Sequence, residues 1–426
     1  MKKRRKIAIF LLIAMTAVIL LQQKSVGYAA SKYIPAETFA EMVLETCGIK
    51  VKTAENALEK AAECGLTEKK ITARSYITRA DAAILLAGAY EKMQGELPQE
   101  QLRMIKEYGR LSDLEDCGEE QADAMLRVYA AGIVPGYKRA DYDPGREFRG
   151  KNKLTYTAAK KYLARLSGAE ERFLLSTDGQ VLREEKLPAN AQKYPYILAN
   201  YPNSYYDWNL RFENSRQFKL GEMEEDNYYY PADAEKMPYF ETRFVKGAWE
   251  SAQEWAEKVK IYAELAFGAD YRTIEQDDSW KSAMYALDAD SSPAGSHEAL
   301  RERIENYITK MKKNKTILEV ETAAADPSSM YYFNGKFYIR LYVKYRIVSS
   351  KVTNPSVEDM IFKKSFNSII FGDGVVSLNP VVKGEWREGY YDIGLSSPNE
   401  YSDGSDIGIS ERMIQDDYYI GTAVKQ

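Results

Sequence analysis

One histidine, His297, stands in 426 residues, and the three cysteines, Cys47, Cys64 and Cys117, all fall in the first third. A single histidine excludes multi-histidine metal sites and paired-histidine chemistry. The cysteine-free remainder excludes thiol nucleophiles there. An odd, sparse cysteine set is no disulfide framework. Buried free thiols are the first expectation, with one disulfide plus a free thiol as the alternative. Also missing are a Gly-x-Ser-x-Gly elbow, a Walker loop, a dinucleotide fingerprint and a His-Glu-x-x-His pair. No cofactor and no metal is therefore expected. Asp288, Asp290 and Ser292 open like a calcium loop, but Pro293 and Ala299 stand where glycine and glutamate are needed.

Long apolar runs are scarce too. The one present, Ile7 to Leu21, follows Lys2-Lys3-Arg4-Arg5-Lys6 and precedes the small residues Gly27, Ala29 and Ala30. A basic start, a short apolar core and a small-residue exit read as a secretory signal over residues 1–29. An uncleaved anchor is the alternative. Without this leader the balance is 53 basic to 63 acidic residues. An acidic exported chain suits neither nucleic acid nor an anionic membrane surface, so neither partner is expected.

The most informative stretch that is present is Ile77-Thr78-Arg79-Ala80-Asp81, opening the apolar helical run Ala82 to Leu86. Thr78 and Asp81 have the spacing of a capping box. A well-capped helix explains them fully. Arg79 adds a second reading, because a guanidinium beside free helix N–H groups suits an anionic ligand.

Two other segments share this plan: Ile34-Pro35-Ala36-Glu37 and Leu154-Thr155-Tyr156-Thr157, each running into an amphipathic helix. Between them lie helical stretches from Ala54 to Ala62 and from Ala122 to Ala131. Gly65 and Gly132, each followed by an aliphatic residue, read as left-handed C-caps. Gly136-Tyr137 and Tyr142-Asp143-Pro144-Gly145 are turn signals.

Taken together these residues resemble S-layer homology (SLH) domains. The matching elements are Leu111-Ser112-Asp113-Leu114, Ala131-Gly132-Ile133-Val134, Gly136-Tyr137, Tyr142-Asp143-Pro144 and Ile77-Thr78-Arg79-Ala80-Asp81. The resemblance covers residues 32–168. It implies an all-α helical repeat module in a three-pronged arrangement, on the cell surface or in the cell wall of a Gram-positive envelope. Its implied partner is an anionic secondary cell-wall polysaccharide, commonly recognised through a pyruvylated sugar. Arg79 would meet the carboxylate, Thr78 would cap the helix and line the groove, and Asp81 would hold the helix start. The first copy has Pro35-Ala36 and the third Thr155-Tyr156 in place of Thr-Arg, and a family tryptophan appears as Gln121. At most one groove keeps the full signature.

Residues 169–243 read as a connecting segment rich in tyrosine and proline. Tyr194, Tyr196, Tyr201, Tyr205, Tyr206, Trp208 and Tyr228 to Tyr230 crowd it. Packing of this arm onto the next domain is expected ahead of a sugar-binding platform. Residues 244–426 read as an α+β domain, with helices packed on a twisted antiparallel sheet. Helices are expected over 244–267 and 297–313, the second capped by Ser296. Asn334-Gly335 marks a hairpin. Phe337, Ile339, Leu341, Val343, Tyr345 and Ile347 line one face of a strand, and Lys336, Arg340, Lys344 and Arg346 the other. Further strands are expected at 368–371, 375–378 and 386–393. The chain is thus expected to be multidomain and non-enzymatic, presenting its C-terminal domain from the wall. Two alternatives remain open: a glycan-active enzyme using Asp277-Asp278 or Asp403 and Asp406, and a protein-binding scaffold with non-functional repeats.

Overall fold

The computed structural model describes residues 32–51, 56–67, 71, 76–189, 191–206, 216–217, 252–276, 278–287, 296–333, 336–351, 383–396 and 408–419. The leader, Trp208, Tyr228 to Tyr230, the Asp288 loop, the strands expected at 368–371 and 375–378, and the Asp403–Asp406 pair lie outside these residues. The chain combines helices with antiparallel sheet and divides into two units. One comprises residues up to Arg183 plus Leu198–Asn200; the other comprises Glu184–Ile197 and the chain from Tyr201 onward.

The first unit contains helices α1 (Ala36–Thr46), α2 (Ala57–Glu63), α3 (Arg79–Gln94), α4 (Gln99–Glu107), α5 (Glu119–Ala130) and α6 (Tyr156–Ser167). A two-stranded antiparallel ribbon, β1 (Tyr137–Lys138) with β2 (Arg146–Glu147), makes it helical but not all-α. The Tyr142-Asp143-Pro144-Gly145 turn signal lies between its two strands. The stretch between Gln94 and Gly109 forms α4, with Leu102 and Ile105 turned into the core.

The three repeated helix starts meet. Ile34 N donates to Leu154 O at 3.1 Å, Leu154 N to Ile77 O at 2.9 Å, and Ile77 N to Ile34 O at 3.1 Å. The hydrogen bonds close a three-way ring on the aliphatic residue that precedes each cap. All three side chains are buried. Burying these backbone groups without partners would cost more than the ring does. Helices α1, α3 and α6 then start two residues later, at Ala36, Arg79 and Tyr156. Thr78 and Thr155 cap their helices through the hydroxyl; Pro35 has no such group to offer.

The two intervening helices end alike. Leu66 N reaches Ala61 O at 2.9 Å and Ile133 N reaches Val128 O at 3.0 Å. Gly65 and Gly132 adopt φ of +75° and +72°, the left-handed turn this closure requires.

The second unit contains a short helix α7 (Asn203–Tyr206), strand β3 (Arg216–Gln217), helices α8 (Ala252–Phe267), α9 (Ser279–Leu287) and α10 (Ser296–Asn314), and strands β4 (Ile317–Ala325), β5 (Tyr331–Phe333), β6 (Lys336–Ser349), β7 (Trp386–Ser396) and β8 (Gly408–Tyr419). Ser296, expected as a cap, is the first residue of α10. The sheet runs β3-β5-β6-β7-β8, and β4 pairs with the far half of β6. Phe333 faces Lys336 across the two-residue Asn334-Gly335 connection. Ile339, Leu341, Val343, Tyr345 and Ile347 share a core with Trp255, Val259, Tyr262, Tyr307 and Met311 of the helices. The period of two and the helical period thus meet on one face.

The opposite face of β6 departs from expectation. Arg340, placed by alternation among solvent-facing cations, is 1% exposed. Its Nη1 donates to Tyr194 OH and to Tyr205 O, both at 3.2 Å, and Tyr205 OH donates to Arg340 O at 2.5 Å. The tyrosine arm covers this face: Tyr194, Tyr201, Tyr205 and Tyr206 are buried, and Tyr205 lies edge-on to Tyr390. Tyr206 OH donates to the buried carboxylate of Asp326 at 2.5 Å. These rings pack; they are not an exposed platform for sugar. Residues 169–206 are divided between the two units.

Candidate functional site

Arg79 is the first residue of α3 and is 4% exposed. Its Nε donates to Phe148 O at 2.8 Å and its Nη1 to Tyr162 OH at 2.5 Å. The guanidinium carbon lies 4.8 Å from the ring centroid of Tyr137, 5.1 Å from Phe148 and 5.6 Å from Tyr162. Three aromatic rings thus lie within cation–π range of one guanidinium, whose attraction is to the negative ring face. Arg79 makes no ion pair among the described residues, and Nη2 has no hydrogen-bond partner there.

Its environment differs from that of the other buried arginines of this unit. Arg110 is paired with the buried carboxylate of Asp178. Arg146 spends Nε on Pro135 O, Nη1 on Asn200 Oδ1 and Nη2 on Gly136 O. Burial drives the Arg146 pKa down, and those three acceptors carry its charge in place of a carboxylate. Of these three, Arg79 alone has neither a counter-ion nor an acceptor for each side-chain nitrogen among the described residues.

Thr78 Oγ1 accepts from Asp81 N at 3.1 Å and donates to Asp81 Oδ2 at 2.7 Å. Asp81 Oδ1 accepts from Gln121 Nε2 at 2.7 Å. Gln121 in turn accepts from Gly118 N at 3.2 Å, so it ties the starts of α3 and α5 together. Thr78 and Asp81 fasten the helix start beside Arg79. Neither shares the aromatic cage with it.

The expectation of free N–H groups at this helix start is corrected. Arg79 N donates to Asn152 O at 2.8 Å, Ala80 N to Gly150 O at 3.0 Å, and Asp81 N to the Thr78 hydroxyl. The loop before α6 lies close enough to take them. A Cβ on Gly150 would meet Cys117 Sγ at 2.7 Å and Met125 Sδ at 2.8 Å. What is left for an anion is the guanidinium and the phenol. Burial pushes the Tyr162 pKa up against the pull of Arg79, so the phenol is neutral at pH 7. Its O–H proton and Arg79 Nη2 are both donors.

The cage is built by residues the local pattern does not mark. Asp113 holds it from behind: its carboxylate accepts from Phe148 N at 2.7 Å and Arg149 N at 2.6 Å. Tyr137 sits on β1 and is 41% exposed. The Gly136-Tyr137 turn signal marks the place but not the role. Phe148 and Tyr162 come from 69 and 83 residues beyond Arg79. At the positions equivalent to Arg79, the first and third repeats have Ala36 and Tyr156.

Among the described residues no group of three or more metal-ligating side chains occurs, and no helix is long and apolar enough to cross a membrane. The three cysteines are free thiols, each half-buried rather than fully buried. No protein family, curated protein or solved structure matches the chain.

Proposed function

We propose that the first unit is an SLH-like repeat module that anchors an exported, non-enzymatic envelope protein to anionic secondary cell-wall polysaccharide, and that the α+β unit following it is the domain presented at the cell surface. The observation that carries this reading is Arg79, a buried cation with no carboxylate partner and one uncommitted nitrogen among the described residues. A buried charge without a counter-ion is costly, and an external anion offsets that cost. Arg79 Nη2 and the Tyr162 hydroxyl would donate to an acidic group of the sugar, commonly a pyruvyl carboxylate. The ring through Ile34, Ile77 and Leu154 supports the repeat reading, because three similar segments occupy equivalent places around one junction. Thr78 and Asp81 would act by holding Arg79 in register.

The test is retention of the whole chain on purified secondary cell-wall polysaccharide. Wild type is expected to be retained, and Arg79→Gln to elute freely with its fold intact by circular dichroism. Equal retention of the two would end the assignment of Arg79.

A further inference from the structure

A second guanidinium lies against the same site. Arg149 Cζ is 4.4 Å from the ring centroid of Tyr137, the ring that Arg79 also approaches at 4.8 Å. Tyr137 thus bridges two cations. The acid paired with the Arg149 side chain is Glu147, which stands opposite Tyr137 across the β1–β2 ribbon and accepts from Arg149 Nε at 2.9 Å. The side chains of Arg149 and Glu147 are 45% and 38% exposed, so a ligand can reach both.

The backbone at Arg149 has φ of +57°, a conformation that favours glycine. The Asp113 carboxylate fixes it by accepting the Arg149 N–H. Packing alone gives no reason for a long cation here, where glycine would relieve the strain. Strain of this kind persists where the surrounding structure enforces it, and it gathers at binding sites.

We propose that Arg149 is the second anion-binding residue of the Arg79 site, held in reserve by Glu147 and released when an acidic glycan displaces that carboxylate. This inference rests on the assignment of Arg79 above. An exposed ion pair is worth little, so exchange of Glu147 for a ligand anion costs little. Tyr137 keeps the guanidinium in place during the exchange through its ring face. The ligand class that fits is a glycan with more than one acidic group within reach of the two arginines. Glu147 makes the site selective, because a weakly charged sugar cannot compete with it.

The experiment measures binding of the whole chain to purified secondary cell-wall polysaccharide at several salt concentrations, for wild type, Glu147→Gln, Arg149→Gly and Arg79→Gln. Glu147→Gln is expected to bind about two- to fivefold more tightly, and Arg149→Gly more weakly by a similar factor with a shallower salt dependence. Arg149→Gly is expected to keep or raise the thermal midpoint, since glycine suits the backbone there. A purely structural pair predicts otherwise: both variants would lose stability, and affinity would follow stability. Unchanged or same-direction affinities for Glu147→Gln and Arg149→Gly, with binding abolished by Arg79→Gln, would overturn the role of Arg149 alone. Undiminished binding by Arg79→Gln would overturn the anchoring site itself.

Discussion

Arg79 donates from Nε to the carbonyl of Phe148 at 2.8 Å, so the residue that opens α3 also pins the loop that leads into α6. Replacement by lysine keeps a positive charge but removes the fork that reaches both Phe148 O and Tyr162 OH. Arg79→Lys is expected to lower stability by about 2 kcal/mol, from two buried hydrogen bonds lost. It should also weaken retention on wall polysaccharide by about tenfold or more, through loss of the charge-assisted contact. Urea unfolding and a binding isotherm on the same sample separate the two effects.

Asp113 positions this arrangement without touching the guanidinium. Both carboxylate oxygens accept main-chain N–H groups, from Phe148 and Arg149. Asp113→Ala leaves the part-buried Phe148 N–H without its partner, while the exposed Arg149 N–H turns to water, and is expected to cost about 1 kcal/mol. The Phe148 carbonyl would lose its register, so polysaccharide affinity should fall although Arg79 is unchanged. An affinity equal to wild type at a temperature where both are folded would show that the loop does not need Asp113.

What could be read from the sequence was local. Cap and turn chemistry at Thr78, Thr155, Gly65 and Gly132 placed the helix ends, and alternation placed the inner face of β6. The cage around Arg79 could not be read, because Tyr137, Phe148 and Tyr162 come from distant parts of the chain. The burial of Arg340 was hidden for the same reason: alternation assigns a face, not what covers it. Strands β4 and β8 carry no clean alternation; Ala323, Ala324 and Ala325 of β4 favour a helix by propensity, and pairing with β6 overrides that preference. Arg79, Arg110 and Arg146 look alike as letters and are all buried; only the acceptors that the fold brings to each separate their roles.

Gly150 gives a steric test of the loop. A methyl group there would overlap Cys117 Sγ at 2.7 Å and Met125 Sδ at 2.8 Å, with Ala80 Cβ at 3.2 Å. Gly150→Ala is expected to destabilise by about 1–3 kcal/mol, the range for overpacking. Cys117→Ala removes the nearest atom, so the double variant should recover part of the loss in a double-mutant cycle. Strict additivity would show that the clash is relieved elsewhere.

The cysteines give a test by reactivity. Burial pushes the Cys47 thiol up to about 11; Lys92 opposes the rise and Cys64 adds to it. Only the thiolate is nucleophilic. At pH 8 Cys47 in the folded chain should therefore be alkylated about a hundredfold more slowly than in the unfolded chain. The neutral thiol is the form the fold favours. Its contribution to stability is present below the unfolded-state pKa and is lost as pH rises through about 11. Labelling followed by peptide mapping, with and without urea, reads the ratio directly.

The first unit does not end where its repeats end. Beyond Gly168, Phe173 N donates to Gly132 O at 3.2 Å and its ring lies 5.7 Å from Tyr129. Tyr129 OH donates to Gly179 O at 2.8 Å, and Asp178 neutralises the buried Arg110. Asn200 accepts from Arg146 and from Tyr142 N. A fragment stopping at Gly168 would leave Arg110 buried without its carboxylate, a loss of about 3–5 kcal/mol, comparable with the whole stability of a small domain. A fragment ending at Asn200 keeps every one of these contacts. The shorter fragment is expected to show no cooperative unfolding transition and the longer one a single sharp transition by circular dichroism. Within the longer fragment both Asp178→Ala and Arg110→Met strand a buried charge, and Asp178→Ala should lower the midpoint more, because the carboxylate left by Arg110→Met still accepts from Ser176 Oγ and Gln180 Nε2, whereas the guanidinium left by Asp178→Ala keeps only the residue-178 carbonyl. Equal stability of the two fragments would place the boundary at Gly168 and make residues 169–200 dispensable to the module.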